Sequence, residues 1–295
     1  MKPVDLSIIV VNYKTKEITL DCLRYIYASK TKYTYEVILV DNASGDDSVA
    51  AFKKVKWPLT LIENHQNGGF ANGNNLGAKS AKGTYLWLLN SDTLIEPDTI
   101  EKLLNLATKH NSYLATCRLL NRDGSVQPQG GALPNALNLT TWMLNLDSIL
   151  FLRRLIPPYQ LSNPYPKNPK IGWIAGTAML IRRDLYQSIG GLDEHIFMYG
   201  EDVEFCLRAH QGDIKVDYFY QPKLIHLGQA SGSSERAILG EFSGLQYIYR
   251  KHQTSGQRAY LKFILKLGAL LRIISFALRG DIKRRDIYVK AFKLA

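Results

Sequence analysis

Two aspartates stand directly after apolar runs of the kind that form buried strands. Asp41 follows Val-Ile-Leu-Val, and Asp92 ends the triplet Asn90-Ser91-Asp92 after Leu-Trp-Leu-Leu. A carboxylate in this position can hold a hard divalent cation whose other ligands are water and substrate phosphate oxygens. An aspartate after a strand also commonly caps the next helix, and Asp41 fits either role. Asp92 is the stronger candidate for a cation site because two further polar side chains stand beside it.

The stretch 67–75 is rich in glycine and asparagine. It contains neither a Gly-x-Gly-x-x-Gly pattern nor a Gly-Lys-Ser/Thr triplet, so neither a Rossmann dinucleotide site nor a P-loop is supported. Its glycines permit close approach of the backbone, and its amide side chains stand beside a predicted helix start, which suits a nucleotide or ribose. An ordinary glycine-rich turn has the same composition, so both interpretations stay open at this point.

A third candidate functional site combines carboxylates with a histidine further along the chain. Glu201-Asp202-x-Glu204 opens a predicted helix, and a strand-like run ends downstream at His226. Paired carboxylates can serve acid–base chemistry, although acidic residues also favour a helix N-terminus through the helix dipole alone. A single histidine is usually structural, but a neutral imidazole at a strand end is also a good metal ligand.

Strands that alternate with helices must position these side chains. The apolar runs predict strands at 6–11, 35–40, 59–63 and 85–89, with helices at 17–29, 46–54, 76–81 and 97–109. This alternation predicts βαβ units and a mainly parallel sheet in an α/β fold. Ligands bind such sheets beyond the carboxyl ends of the strands. We therefore expect Asn12, Tyr13, Asp41 and Asp92 to line one cleft.

The pattern changes in the second half of the chain. Residues 124–170 are rich in Pro, Gly and Asn, and we expect long loops over the cleft with one helical patch at 142–152. A strand is predicted at 171–182, followed by a helix from Arg183 and a further strand at 216–225.

The chain of 295 residues, with a formal net charge of +11, combines a near-neutral body with a basic C-terminal segment. From Arg250 to the end there are 12 Lys or Arg against 2 Asp or Glu. Over 258–279 the basic side chains fall within about 140° of a helical wheel, and leucines and isoleucines fill the other side. Such a helix can dock on the catalytic domain, lie on a membrane with anionic headgroups, or do both, and we favour membrane contact. The segment lacks the aromatic platforms or recognition motif of a nucleic-acid site.

The cysteines and the N-terminal sequence indicate the cellular compartment in which we expect the protein. The three cysteines are widely spaced without a Cys-x-x-Cys pair, which favours a reducing compartment and argues against a disulfide framework or thiolate metal site. The first apolar run is too short for a signal peptide, and no uncharged apolar stretch reaches the ~18 residues of a spanning helix. We expect a cytoplasmic protein that is peripheral at the inner face of the cell membrane.

Several segments, taken in order, resemble the inverting GT-A-fold glycosyltransferases of the large bacterial family that includes rhamnosyltransferases and galactofuranosyltransferases. They are Ser7-Ile-Ile-Val-Val-Asn-Tyr13, Val40-Asp-Asn-Ala-Ser-Gly-Asp-Asp-Ser48, Asn67-x-Gly-Phe-Ala-x-Gly-Asn-Asn-x-Gly77, Leu89-Asn-Ser-Asp-Thr93, Gly176-Thr-Ala-Met-Leu-Ile-Arg182, Gly191-Leu-Asp-Glu194 and Gly200-Glu-Asp-Val-Glu-Phe-Cys-Leu-Arg208. The resemblance covers about residues 5–230, and so many ordered matches are not expected by chance.

The resemblance implies a GT-A fold, which is Rossmann-like with a mainly parallel mixed sheet flanked by helices. We expect this catalytic domain over residues 1–240, with a donor half at about 1–120 and an acceptor half at about 121–240. A helical, basic and membrane-associated tail is expected over 241–295.

The resemblance also implies roles for single residues in donor and metal binding. The donor base is assigned to Asn12, Tyr13 and Asp41 with Val11 beside them, and the ribose and diphosphate to Asn67, Gly69 and Asn75; Asn90, Ser91 and Asp92 complete the donor site. Asp92 is expected to bind Mn²⁺ or Mg²⁺. The family's metal motif has aspartate at its first and third positions, and the first is Asn90 here. We therefore expect a weaker metal site, completed by His226 and the donor diphosphate.

In the same family the glutamate–aspartate pair supplies the catalytic base. This implies Asp202 as the general base with Glu201 next to it. Trp173, Gly176 and Thr177 are expected to bind the acceptor.

The implied activity is a metal-dependent, inverting transfer of a sugar from a nucleotide-sugar to a hydroxyl of a lipid-linked or polysaccharide acceptor in cell-surface glycan synthesis. The segment 200–208 resembles rhamnosyltransferases most, which favours dTDP-rhamnose; a UDP-hexose or galactofuranosyl enzyme is the alternative within the same fold.

A sugar nucleotidyltransferase would need a Gly-rich triphosphate loop near the N-terminus, which residues 10–15 do not form. A non-catalytic nucleotide-sugar-binding scaffold is the alternative from another class, favoured by Asn90 and opposed by Asp92 and the Glu201-Asp202 pair.

Overall fold

A mixed sheet of eight strands forms the centre of the protein. The computed structural model describes residues 3–162, 165–167, 169, 171–228 and 234–295. The strands are β1 (Leu6–Asn12), β2 (Tyr35–Asn42), β3 (Leu59–Asn64), β4 (Tyr85–Asn90), β5 (Thr93–Ile95), β6 (Leu114–Leu120), β7 (Ala178–Arg182) and β8 (Val216–His226). They lie in the order β3-β2-β1-β4-β7-β6-β8-β5.

Helices cover both faces of this sheet. They are α1 (Lys16–Tyr27), α2 (Ser48–Phe52), α3 (Gly69–Ser80), α4 (Thr99–Lys109), α5 (Ala136–Met143), α6 (Leu150–Leu155), α7 (Arg183–Ser188), α8 (Glu201–Gln211), α9 (Ser234–His252), α10 (Ser255–Leu278) and α11 (Ile282–Leu294), with a 3₁₀ turn at Leu146–Ser148. One apolar core lies between the sheet and α1, α2 and α4, and a second lies between the sheet and α3, α8 and the C-terminal helices. This arrangement confirms the predicted α/β fold class.

The N-terminal strands form the parallel part of the sheet. β1 pairs in parallel with β2 and with β4, and β2 pairs in parallel with β3. In β1, β2 and β4 the apolar side chains alternate between the two cores, which explains why these strands contain continuous hydrophobic runs. β3 lies at the edge of the sheet and is only partly buried. In this register Asn12 lies opposite Asp41, so the carboxyl ends of β1 and β2 meet at one edge.

β7 reverses direction and makes the sheet mixed. It pairs antiparallel with β4 and with β6, while β6 is parallel to β8 and the short β5 is antiparallel to β8. The sequence patterns missed β5 and β6. The predicted strand over 171–182 was too long, because only Ala178–Arg182 joins the sheet as a strand, and Trp173 forms an isolated bridge with Gly131. Gly176 lies in the excluded part, where a Cβ atom would approach within 2.7 Å of the Phe70 ring.

The Gly/Asn-rich stretch is helical over most of its length, whereas we expected a helix only from residue 76. α3 begins at Gly69, and its glycines face the sheet: a Cβ atom on Gly73 would lie 2.8 Å from Val11 Cγ1, and one on Gly77 would lie 2.6 Å from Ile9 Cγ2. Glycine normally weakens a helix interior. Here it allows α3 to pack closely on β1, and this close packing explains the composition.

Residues 124–170 contain more helix than predicted. α5 begins with a capping box between Asn135 and Asn138. The predicted patch at 142–152 is interrupted at Asn145, which adopts a left-handed conformation with φ 55° before the 3₁₀ turn and α6. Residues 163, 164, 168 and 170 of this region lie outside the described residues.

The basic segment forms helices that pack on the rest of the protein. The expected boundary between residues 240 and 241 lies inside α9. α10 buries Leu261, Ile264 and Leu265, and Arg272 donates hydrogen bonds to the carbonyl oxygens of Trp142 and Met143 at the end of α5. Among the described residues, no helix is both long and apolar enough to cross a bilayer.

Candidate active site

A cavity of about 430 Å³ opens at the carboxyl ends of β1 and β4, beside the N-terminus of α8. Eleven of the predicted site residues line it. They are Val11, Tyr13, Asn67, Gly69, Asn90, Ser91, Gly176, Thr177, Glu201, Asp202 and His226. The cavity is therefore the place where the separately predicted motifs meet, as expected for a parallel sheet.

Asp92 and His226 are brought together by strand pairing. β5 and β8 place Thr93 opposite His226, and His226 Nε2 lies 3.2 Å from Asp92 Oδ1. Asp92 is fully buried behind the cavity wall. On its other side, His226 Nδ1 lies 2.8 Å from Gln127 Oε1. Because an amide oxygen only accepts, Nδ1 carries a proton and donates it to Gln127, and this bond fixes the ring with Nε2 facing Asp92.

This pair fits a divalent cation. One buried carboxylate and one imidazole oriented through its other nitrogen are suitable ligands for a metal such as Mn²⁺. The described part of the chain holds no cluster of three or more His, Cys, Asp or Glu residues that could bind a metal alone. The remaining ligands would therefore have to be water or substrate oxygens, as is usual for Mg²⁺ in phosphate-binding sites.

Asn90 stands where the family motif has its first aspartate. Its side chain lines the cavity, and its carbonyl oxygen accepts a hydrogen bond from Thr93 Oγ1 at 2.8 Å, which closes the turn between β4 and β5. Ser91 Oγ lies 3.4 Å from Thr15 Oγ1 on the neighbouring loop. The turn thus presents two neutral polar side chains beside Asp92.

Asn12 and Asp41 form a buried network beneath the cavity. Asn12 Nδ2 donates to Asp41 Oδ1 at 2.7 Å, and Asp41 also accepts from the backbone N–H and hydroxyl of Ser44. Ser44 Oγ in turn accepts from the backbone N–H of Lys14 at 3.0 Å. We expected Asn12 and Asp41 to contact the donor base, but neither side chain lines the cavity; they shape the loop that carries Tyr13.

The start of α3 forms another wall. Gly69 has φ 83°, and a Cβ atom there would lie 2.0 Å from Phe197 O, so a side chain is excluded. Asn67 Oδ1 accepts from Asn42 Nδ2 at 2.9 Å and from the backbone N–H of Gly69 at 3.0 Å. The amide group of Asn67 is thereby engaged in holding the turn at the cavity edge.

Asn75 does not lie on the cavity, contrary to our expectation. Its Nδ2 donates to Leu192 O and Glu194 Oε1, both at 2.8 Å, and its Oδ1 accepts from the backbone N–H of Leu192 at 3.0 Å and from the Tyr186 hydroxyl. These bonds saturate the amide and hold the 191–194 turn against α3. A structural role explains this position.

The acidic pair lies in the first turn of α8. Asp202 Oδ2 accepts from the backbone N–H of Gly176 at 3.1 Å, and Oδ1 accepts from that of Val203 at 2.8 Å. Burial raises the pKa of Asp202, against the opposing effect of these amide hydrogen bonds. Burial and then the charge of Asp202 raise the pKa of Glu201 well above its usual value. The two backbone hydrogen bonds to Asp202 favour its ionised form, which can act as a base.

Glu204 anchors the helix that carries this pair. It is fully buried, and its carboxylate accepts from Arg208 Nε at 2.8 and 2.9 Å, from Lys251 Nζ at 2.7 Å and from His252 Nε2 at 3.0 Å. Burial opposes ionisation, but Arg208 and Lys251 hold the pKa of Glu204 below its usual value. The network joins α8 to the end of α9, so these motif residues position the pair rather than contact substrate.

Trp173 belongs to the core and not to the cavity. Its side chain is buried, its indole N–H donates to Tyr159 O at 2.8 Å, and the two rings lie 5.6 Å apart. We expected it to bind the acceptor. Trp173 instead supports the segment that carries Gly176 and Thr177, both of which line the cavity.

Sequence reasoning missed nine lining residues. They are Thr15, Asn42, Phe70, Leu89, Ala175, Phe197, Met198, Tyr199 and Arg236. Most lie within or next to a predicted motif, so the position of the motif in the sequence could have indicated them. Arg236 stands apart from every motif, and only the packing of α9 places it here.

Comparison with known proteins agrees with this geometry. The sequence model of glycosyl transferase family 2 matches residues 7–190. The low-salt glycan biosynthesis hexosyltransferase Agl10 of Haloferax volcanii is 28% identical over 230 residues, which cover 75% of this chain and 67% of that protein. The N-acetylglucosaminyl-diphospho-decaprenol L-rhamnosyltransferase of Mycobacterium tuberculosis is 24% identical over 278 residues, which cover 86% of this chain and 87% of that protein.

A solved structure supports the fold assignment. The mannosyltransferase PcManGT from Pyrobaculum calidifontis, in complex with GDP-Man and Mn²⁺, matches with a TM-score of 0.58 at 15% identity. The match covers 100% of this chain and 81% of that one. The expected GT-A architecture is thereby confirmed.

Proposed function

Since the chain belongs to glycosyl transferase family 2, we propose that it is an inverting, divalent-metal-dependent enzyme of cell-surface glycan synthesis. A member of this family transfers a sugar from a nucleotide-sugar donor. The proposed reaction moves L-rhamnose from dTDP-rhamnose to a hydroxyl of a lipid-linked or polysaccharide acceptor.

One arrangement carries the proposal: a single cavity holds the carboxylate of Asp202 and the imidazole of His226, with Asp92 3.2 Å behind that imidazole. Sugar transfer from a nucleotide needs a base for the attacking hydroxyl and positive charge near the departing diphosphate. The cavity has candidate groups for both tasks.

Asp202 acts as the base in this proposal. Its carboxylate accepts the proton of the acceptor hydroxyl while the oxygen attacks the anomeric carbon from the face opposite the diphosphate, so the configuration inverts. The amide of Gly176 holds the carboxylate in place, and burial, which raises the pKa of Glu201, opposes a second negative charge beside it. A positioned base of this kind contributes ~10²–10⁴-fold to a rate.

Asp92 and His226 are the proposed ligands of Mn²⁺ or Mg²⁺. When bound there, the cation supplies positive charge next to the leaving diphosphate. Asn90 lowers the number of carboxylates at this turn, so the site depends on donor oxygen atoms more than a site with two aspartates would.

Tyr13 is the proposed platform for the nucleotide base. Its ring lines the cavity and is 40% exposed, which leaves an aromatic face open for stacking. Lys14 Nζ lies 5.5 Å from the centroid of this ring. Val11 lies on the same wall and adds an apolar contact.

The choice of rhamnose rests on similarity. The relative from Mycobacterium tuberculosis is named for L-rhamnose and a diphospho-decaprenol acceptor, and this chain covers 87% of it. The relative from Haloferax volcanii is named only as a hexosyltransferase. A UDP-hexose or galactofuranose donor is therefore the alternative within the same reaction class.

The C-terminal helices are proposed to bind the inner face of the membrane. α10 docks through Leu261, Ile264 and Leu265, whereas Phe263, Leu270, Leu271, Ile274 and Leu278 of the same helix are exposed. We expected docking, membrane contact or both, and α10 has one buried face and one exposed apolar face. An exposed apolar face flanked by basic side chains suits anionic lipid headgroups.

A thermal-shift screen tests the donor assignment. Purified protein is heated with dTDP-rhamnose, UDP-galactofuranose, UDP-glucose, UDP-GlcNAc or GDP-mannose, each with and without Mn²⁺, since ligand binding stabilises the folded state. We expect a metal-dependent shift with dTDP-rhamnose. A shift with UDP-galactofuranose or UDP-glucose would overturn the rhamnose assignment and favour the alternative donor. Donor binding without transfer to any acceptor would favour the scaffold function.

A further inference from the structure

α9 packs backbone to backbone against the turn that precedes α8. A Cβ atom on Gly244 would lie 2.2 Å from Tyr199 O, and one on Gly240 would lie 2.9 Å from Met198 O. Such contacts exclude any side chain, so both positions require glycine. The N-terminal half of α9 is therefore held at a fixed place next to the Glu201-Asp202 pair, although it follows the expected catalytic domain in sequence.

Arg236 is exposed and lies on the same side of α9 as these two glycines. It lies four residues before Gly240, which itself lies four residues before Gly244, and residues at this spacing lie on one side of a helix. The glycines bring this side of α9 onto residues 198–200, and Arg236 is one of the residues that line the cavity. Among the cavity-lining residues in the described part of the chain, it is the single lysine or arginine.

We propose that Arg236 binds the phosphate oxygen atoms of a diphosphate group in the cavity, an inference that rests on the proposed function. A guanidinium group offers a planar fork of N–H donors that matches phosphate oxygens. A divalent cation held by Asp92 alone among carboxylates keeps one net positive charge, which is less than the charge of a diphosphate. Arg236, on α9, supplies the further positive charge.

The diphosphate has two possible sources. It belongs to the nucleotide donor if Arg236 stabilises the leaving group, and to a lipid-linked acceptor if Arg236 orients the attacking substrate. Binding experiments distinguish the donor from the acceptor, because a nucleoside diphosphate and a prenyl diphosphate have only the diphosphate group in common.

Isothermal titration calorimetry tests the proposal with four forms of the full chain: wild type, Arg236→Ala, Arg236→Lys and the control Arg250→Ala. Arg250 is exposed on the same helix, and its guanidinium lies over the Tyr247 ring at 5.3 Å, so the control removes the same charge outside the cavity. The probes are dTDP, UDP and thymidine with and without Mn²⁺, and farnesyl diphosphate.

If the donor is the source, Arg236→Ala raises the dissociation constant of the preferred nucleoside diphosphate ~10- to 100-fold, as expected for a lost charged hydrogen bond. Arg236→Lys has a smaller effect, and thymidine binding and the control do not change. A loss confined to farnesyl diphosphate assigns the contact to the acceptor. If Arg236→Ala binds every diphosphate as tightly as the wild type does, the inference about Arg236 is wrong, while the proposed function still stands. No binding of any diphosphate to the wild-type chain would overturn the proposed function as well.

Discussion

The backbone N–H of Gly176 donates a hydrogen bond to Asp202 Oδ2 at 3.1 Å. This bond joins the segment before β7 to the first turn of α8, two elements that are 26 residues apart in sequence. It aims the carboxylate at the cavity and leaves Oδ1 close to its own helix, where Val203 N–H donates to it. The proposed base therefore has a defined orientation before any substrate binds.

Asp202→Asn should abolish base function and preserve donor binding. The amide has nearly the same shape, and its oxygen can still accept from one of the two backbone N–H groups, of Gly176 or of Val203. We therefore expect turnover to fall by ~10²–10⁴-fold while the donor-induced thermal shift stays the same. In the wild type, turnover should fall as pH drops through the raised pKa of Asp202, because only the ionised form accepts a proton. Steady-state kinetics measure both effects, and unchanged turnover would remove Asp202 from this role.

Asp92→Asn should weaken the Mn²⁺-dependent part of nucleotide binding. Replacement of a direct ligand should cost at least the ~10- to 100-fold that a second-shell change costs. Calorimetry with and without Mn²⁺ measures the difference. Asp98→Asn, which removes an exposed carboxylate paired with Lys102 at 2.6 Å, serves as control. Equal metal dependence in both variants would contradict the metal assignment.

Glu204→Gln should destabilise the fold. The substitution leaves Arg208 and Lys251 without their buried carboxylate, and loss of one partner from a buried ion pair costs about 3–5 kcal/mol. Urea denaturation gives the free energy of unfolding. The control Glu235→Gln removes an exposed carboxylate that pairs with Lys290 at 2.6 Å, and it should cost less than about 1 kcal/mol. Similar stabilities of the two variants would show that the network contributes little.

Glu241→Gln should stabilise the protein at alkaline pH. Burial and then the charge of Asp202 raise the pKa of Glu241 from 4.5 to about 8. The folded state therefore binds more protons than the unfolded state between these values, and this residue makes stability fall as pH rises through that range.

The Tm of Glu241→Gln at about pH 9 should exceed that of the wild type by ~2–4 °C, with little difference at about pH 4, where the acid is neutral in both states. Glu235→Gln, on the same helix, should leave the pH profile unchanged. A parallel pH dependence of Glu241→Gln and wild type would rule out this contribution of Glu241.

Membrane binding should depend on the exposed face of α10. Leu271, Ile274 and Leu278 are 45%, 49% and 84% exposed, so a triple change to serine removes apolar surface without opening the core. We expect it to reduce recovery with anionic liposomes in flotation, while Leu137→Ser, at a residue 65% exposed on α5, has a smaller effect. Point variants suit this test better than truncation, because α10 buries core residues. Equal recovery of the triple variant and the wild type would exclude this face.

Local patterns in the sequence determined much of this protein. Continuous apolar runs predicted β1, β2 and β4, since strands covered on both faces bury nearly every side chain. The order of the motifs predicted the family, and the expected positions of Asp202, Asp92 and His226 all converge on one cavity or directly behind its wall. Such features depend on residues close together in the chain, or on the common rule that strand ends meet at one edge.

Tertiary structure alone decided which polar side chains remain available to a ligand. Asn75 matched a donor motif, yet Leu192 and Glu194 engage its amide from 117 and 119 residues away. Asn12 and Asp41 likewise satisfy one another across β1 and β2. Arg236 matched no motif, and it reaches the cavity because Gly240 and Gly244 let α9 contact the turn before α8. A hydrogen bond or a close helix contact depends on the partner that folding brings near, and residue type does not specify that partner.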